Sequence, residues 1–163
     1  MRTDNRNVKN KIISIYFLLL VTAILLATVF KSYDAFPKAS MYVFLGFFIV
    51  VLFVHFIARY FEYDSDGAKL VITNKGLILT DFINYRQKKI EFAKHKLVSY
   101  KVYNYLIYKI LVVSIQNSNG KTYDEHFNIT LFKRRKLKYV KQSLKRIIKQ
   151  NIKHKRGVDV RRT

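Results

Sequence analysis

The side chains that do chemistry in proteins are sparse and scattered in this chain. Its four histidines are His55, His95, His126 and His154. None makes a metal-binding spacing such as H-E-x-x-H, and there is no cysteine to complete a zinc site or serve as a nucleophile. Asp64-Ser65-Asp66-Gly67 has the opening letters of a calcium loop, but the loop's twelfth position, which must be Glu, is Lys75. The five glycines form no phosphate-cradling or dinucleotide pattern, and no nucleophile elbow frames a serine. Asn128-Ile129-Thr130 matches a glycosylation sequon, but it falls on the side read below as cytoplasmic. No cofactor, metal site or catalytic residue is expected, and the chain is read as a non-enzyme.

The strongest chemical signal is charge. Thirty-one Lys and Arg stand against ten Asp and Glu, a formal net charge of +21. Half of the residues are hydrophobic, which excludes a disordered basic protein. Such a balance attracts an anionic partner, a membrane surface or a nucleic acid. Residues 133–163 hold fourteen basic residues and one acid, Asp159. Lys133, Arg134, Arg135 and Lys136 open a predicted helix, with Lys138 and Lys141 following. Cations are unfavourable at a helix N-terminus, where the dipole is positive. Charge set against its own helix singles out the first four, and with Lys138 and Lys141 they are the candidate contact for anionic lipid or a partner. The plainer alternative is a solvated face. Lys outnumbers Arg about two to one, which fits an AT-rich coding sequence and makes part of the excess a mutational bias.

The elements that position this charge begin in two apolar runs. Residues 12–30 carry no charge between Lys11 and Lys31, and residues 39–58 none between Lys38 and Arg59. At about 1.5 Å per residue each run reaches roughly 30 Å, the hydrocarbon thickness of a bilayer. Neither has a polar face, as Phe17-Leu18-Leu19-Leu20-Val21 and Phe47-Phe48-Ile49-Val50-Val51 illustrate. A transmembrane hairpin is expected: a basic cytoplasmic segment 1–11, spans 12–30 and 39–58, and a short outer loop 31–38 with Pro37 at the start of the second helix. Lys11, Lys31, Lys38, Arg59 and Tyr60 are its expected membrane-boundary anchors, with Tyr33 and Tyr42 near the span ends. His55, about one turn from Arg59, is read as snorkelling to the interface. The basic flanks place both termini inside.

From Phe61 the pattern changes to short apolar runs broken by turns. Strands are expected at Phe61–Asp64, Lys69–Thr73, Leu77–Phe82, Lys88–Ala93, Leu97–Tyr103, Tyr108–Gln116 and Lys121–Ile129. Their turns include Ser65-Asp66-Gly67, Asn74-Lys75-Gly76 and Asn117-Ser118-Asn119-Gly120. A helix over residues 130–154, capped by Thr130, carries Leu137, Val140, Leu144, Ile147 and Ile148 on one face. Residues 155–163 read as a basic disordered tail.

Seven short strands and a closing helix over residues 61–154 resemble the pleckstrin-homology (PH) layout. The strand–turn–strand Ala68–Thr80, the strand Lys88–Ala93 and the helix Leu131–Lys149 carry that resemblance. With the hairpin, the chain resembles small bacterial two-span membrane proteins bearing a PH-like domain. The fold implied is a membrane α + β protein, a transmembrane hairpin followed by a small antiparallel β-roll or barrel with a C-terminal helix. The function implied is a non-catalytic binding or scaffold module at the cytoplasmic face of the bacterial inner membrane; the basic start of the last helix, held near the headgroups, adds docking on anionic lipids as an expectation. In eukaryotic relatives a basic first strand–loop–strand holds inositides; here the matching loop, Ser65-Asp66-Gly67-Ala68, is acidic. Two alternatives stay open: an accessory subunit of a larger transport or secretion complex, and a membrane-tethered contact of the basic helix with nucleic acid or the ribosome. Tyr85, Tyr100, Tyr103, Tyr105, Tyr108 and Tyr139 would supply base stacking in the last case.

Overall fold

A computed structural model of the chain describes residues 1–32, 37–76 and 87–159. It is an α + β structure in which a helix pair is inserted between the first two strands of one of its two antiparallel sheets, with a closing helix at the end. The elements in chain order are β1 (Arg2–Asp4), α1 (Arg6–Ser32), α2 (Pro37–Ile57), β2 (Arg59–Asp64), β3 (Lys69–Gly76), β4 (Lys88–Ala93), β5 (Leu97–Asn104), β6 (Lys109–Gln116), β7 (Thr122–Asn128) and α3 (Arg134–Asp159). One sheet runs β1-β2-β3-β4 and the other β5-β6-β7.

The two helices are apolar and largely uncovered. Phe17, Leu18 and Leu25 on α1, and Met41, Phe48 and Ile49 on α2, expose more than half of their surface. Among the described residues one stretch, Arg6–Leu26, is long and apolar enough to cross a membrane, and Phe44–Phe53 is a shorter apolar helical segment. The helices touch each other. Tyr33 and the rest of the expected loop between Ser32 and Pro37 lie outside the described residues, as do the side chains of Lys31, Lys38 and His55.

The sheets and α3 enclose one core. Phe61, Tyr63, Leu70 and Ile72 meet Leu111, Val113, Ile115 and Phe127 across it. Phe61 packs edge-on against Phe132, with ring centroids 5.0 Å apart. Leu137, Val140, Leu144 and Ile147 recur every three or four residues along α3, and that stripe closes the core, with Ile148 partly buried beside it. At the far end of α3 the Asn151 amide donates to the Lys94 and Leu97 carbonyls, at 2.8 and 2.9 Å.

Four sequence expectations are corrected. Residues 2–4, taken as part of a charged flank, form an edge strand that pairs with Glu62–Asp64. Asn74-Lys75-Gly76 is not a turn; β3 continues through it, because the buried Asn74 side chain is held by backbone groups on both sides of the core. The last helix starts at Arg134 rather than Thr130. The Thr130 hydroxyl accepts from the Lys109 amide, so the residue anchors a turn onto β6 instead of capping a helix. That helix then runs through Gly157 to Asp159, where the disordered tail was expected to have begun. Strand Leu77–Phe82, Tyr85 and residues 160–163 lie outside the described residues. The turns at Gly67 and Gly120 stand as read, each glycine adopting positive φ, 68° and 77°.

Candidate functional site

The end of the structure nearest the two helices is fastened by asparagines. Asn5 lies between β1 and α1 with 2% of its surface exposed. Its carbonyl accepts from the Val8 and Lys9 amides and so starts α1. Its side chain turns away from the helix to β2: Oδ1 accepts from the Phe61 amide at 2.9 Å, and Nδ2 donates to the Arg59 carbonyl at 3.0 Å. The first turn of α1 and the chain leaving α2 are thereby held on the same strand.

Asn74 and Asn128 make the second fastening. Asn74 Nδ2 donates to the Tyr60 carbonyl at 3.0 Å and to the Asn128 carbonyl at 2.9 Å. Its Oδ1 accepts from the Asn128 amide at 3.2 Å. Asn128 Nδ2 in turn donates to the carbonyl of Ile57, the last residue of α2, at 3.1 Å. The second sheet is thus tied to the first and to the helix end. Ala58 and Tyr60 form a small apolar cluster there with Ile12 and Leu131.

Tyr60, the expected boundary anchor, is buried in that cluster. Its hydroxyl donates to Glu62 at 3.1 Å, and the Lys9 ammonium lies 5.8 Å from its ring centroid. Burial pushes this hydroxyl up to about 12, with the nearby Glu62 and Asp4 carboxylates adding to the rise. Lys11 is exposed near the start of α1, and Arg59 opens β2.

The basic run at the start of α3 divides between two places. Lys133 and Lys136 face the N-terminal segment and line a small cleft with Asp4, Asn5, Asn7 and Val8. The Lys136 ammonium donates to the Asp4 carbonyl at 2.6 Å and lies 3.9 Å from its carboxylate. Lys136 thus reaches the N-terminal segment while more than a third of its side chain stays exposed. Arg134, Lys138 and Lys141 sit three to four residues apart and share one face of α3. With Leu137, Lys109 and Asn104 they line an open groove of about 510 Å³ between α3 and the β5–β6 hairpin. Arg135 is exposed beside it.

Tyr103, Tyr105, Tyr108 and Lys109 were read from the sequence only as interleaved aromatic and basic residues; that they form one hairpin tip beside α3 escaped it. The tip, Tyr105–Tyr108, is closed by the Tyr105 amide donating to the Tyr108 carbonyl at 2.9 Å. Leu106 is fully exposed and Ile107 half exposed. Tyr105 stacks on Tyr108 at 4.6 Å and on Tyr103 at 6.3 Å. A signal was present: Tyr103-Asn104-Tyr105-Leu106-Ile107-Tyr108 has almost no turn-forming residue where a turn must fall. Tyr100, another of the aromatic candidates, packs on the core, while Tyr139 is exposed on α3.

No group of three or more His, Asp or Glu able to hold a metal occurs among the described residues. Comparison with protein-family models, curated proteins and solved structures finds no match to this chain.

Proposed function

We propose that the chain is a membrane-anchored, non-catalytic binding or scaffold protein. In this reading α1 and α2 cross the bilayer as a hairpin. The β domain, PH-like in layout, then rests at the cytoplasmic face of a bacterial inner membrane and docks on anionic lipid through the start of α3. The observation that carries the reading is the Asn5 fastening: two uncovered apolar helices have their domain-side ends tied to one strand. A chain that leaves the sheet along α1 returns to it along α2. At about 1.5 Å per residue, the 27 residues of α1 reach roughly 40 Å and the 21 of α2 roughly 32 Å, both enough for a hydrocarbon core.

Electrostatics support the docking. Lys109, Arg134, Lys138 and Lys141 share a groove with no carboxylate among its described lining residues. At about 1 kcal/mol per basic residue near an anionic surface, the four supply roughly 4 kcal/mol. The domain is already tethered, so this suffices to fix its orientation. The exposed faces of α1 and α2 favour a second reading, an accessory subunit packed against a larger membrane protein.

Lysine acetylation of the full chain in nanodiscs tests the proposal. Phosphatidylcholine discs are compared with discs also containing phosphatidylglycerol. The docking reading expects Lys109, Lys138 and Lys141 to be protected only in the anionic discs, with Lys121 in the far turn equally reactive in both. Equal reactivity of all four lysines in both discs overturns it. A stoichiometric protein that co-purifies from native membranes and protects the same lysines replaces it with the accessory-subunit reading.

A further inference from the structure

We propose that the tip of the β5–β6 hairpin is a wedge that enters the membrane beside the end of α2, and that the adjoining groove receives the phosphate of an anionic phospholipid. This rests on the membrane-docking reading and assigns its contact to particular side chains.

The position of the tip comes from three links. Asn128 pairs with Ile110 in register and donates to the Ile57 carbonyl. The Ile129 amide donates to the Lys109 carbonyl at 2.9 Å. Tyr108 and Ile57 line one groove of about 360 Å³. The tip therefore lies at the level where α2 leaves the apolar layer.

Its composition suits that level. Leu106 and Ile107 occupy the two central positions of the turn, where water-exposed hairpins carry Asn, Asp or Gly. Tyrosines flank them, and amphipathic rings of this kind favour the membrane–water boundary. The rings stack on one another, Tyr105 lying 6.3 Å from Tyr103 and 4.6 Å from Tyr108. Immediately behind the tip lie Lys109, Arg134, Lys138 and Lys141, with the Asn104 amide among them. An apolar tip backed by cations matches a lipid whose acyl chains and phosphate are similarly ordered. A soluble anion would have no use for Leu106.

The chain contains no tryptophan, so Leu106→Trp supplies a single indole at a site with no packing to disturb. Asn119→Trp provides the control. It lies in the turn at the other end of β6, whose eight residues span about 26 Å. The full chain is placed in phosphatidylcholine–phosphatidylglycerol nanodiscs with and without bromine on the upper acyl carbons. The wedge predicts that bromine extinguishes the Leu106→Trp emission and leaves that of Asn119→Trp. Adding Arg134→Gln and Lys138→Gln to Leu106→Trp should restore emission. No quenching, or equal quenching at both positions, overturns the wedge. Quenching indifferent to the two Gln changes overturns the phosphate groove. Lysine protection with an unquenched Leu106→Trp indole overturns the wedge and leaves the docking reading standing; loss of both overturns both. An unquenched indole on a chain that retains a single-stranded RNA oligonucleotide reassigns the tip to nucleic acid.

Discussion

Replacing Asn5 by Ala should loosen the joint between the helices and the β domain. The change removes two hydrogen bonds, from the Phe61 amide and to the Arg59 carbonyl. Each contributes about 1 kcal/mol net, and a buried amide left without a partner costs about 1–3 kcal/mol more. Phe61 has no exposed surface, so water cannot take the place of the lost carbonyl. At the lower end of that range the total is about 3 kcal/mol. For a domain of about 100 residues each kcal/mol moves Tm by roughly 4–8 °C, giving a fall of roughly 15 °C. Thermal unfolding of the full chain in mild detergent, followed by the near-ultraviolet circular dichroism of its tyrosines, reads this directly. Hydrogen exchange of the β1 and β2 amides should accelerate before that of β6. Asn119→Ala in an exposed turn should stay within about 0.5 kcal/mol of the parent. An Asn5→Ala variant equally close to the parent, with β1 exchange unchanged, would falsify the fastening.

Asn74→Ala removes three side-chain bonds, two that join the two sheets and one that links β3 to β2. It should cost about 3 kcal/mol in the same melt, with β7 exchanging faster. Tyr60 makes stability fall on the alkaline side. Its hydroxyl ionises near 10 when unfolded and is pushed up to about 12 when folded, so folding favours the neutral form. That contribution is full below about pH 10 and is lost as pH rises to about 12. Tyr60→Phe should flatten that part of the stability–pH curve, and a curve of unchanged steepness would show that Tyr60 is not the group responsible.

The parts of the fold legible in the sequence were those with a strong period. The α3 stripe from Leu137 to Ile147 was readable because 3.6-residue recurrence and burial coincide there. The turns at Gly67 and Gly120 were readable because positive φ selects glycine. Asn74 misled because the same amide that favours turns also satisfies buried backbone groups, and only the tertiary structure brings Tyr60 and Asn128 to it. β1 was hidden because three residues carry no period, and its partner lies about 60 positions away. Asp4-Asn5 before an apolar run was the available clue to a helix start. In the candidate site, the charge of Arg134, Lys138 and Lys141 was visible, but their separation from Lys136 was not. That separation depends on Asp4 reaching α3 through β1. Lys109 lies 25 residues before Arg134 and joins the groove only because β6 starts where β7 ends.

The central claim is that α1 and α2 cross a bilayer as a hairpin and hold the β domain at one surface. The chain has no cysteine, so a Ser32→Cys, Asn119→Cys double variant carries only two thiols, one at the end of α1 and one in the domain. Reconstituted vesicles are treated with a light membrane-impermeant maleimide, then permeabilised and treated with a heavy one. Intact mass then counts the labels on each molecule whatever its orientation. The hairpin predicts that every molecule carries one light and one heavy label. Molecules carrying two light or two heavy labels would place both sites on the same side and contradict it.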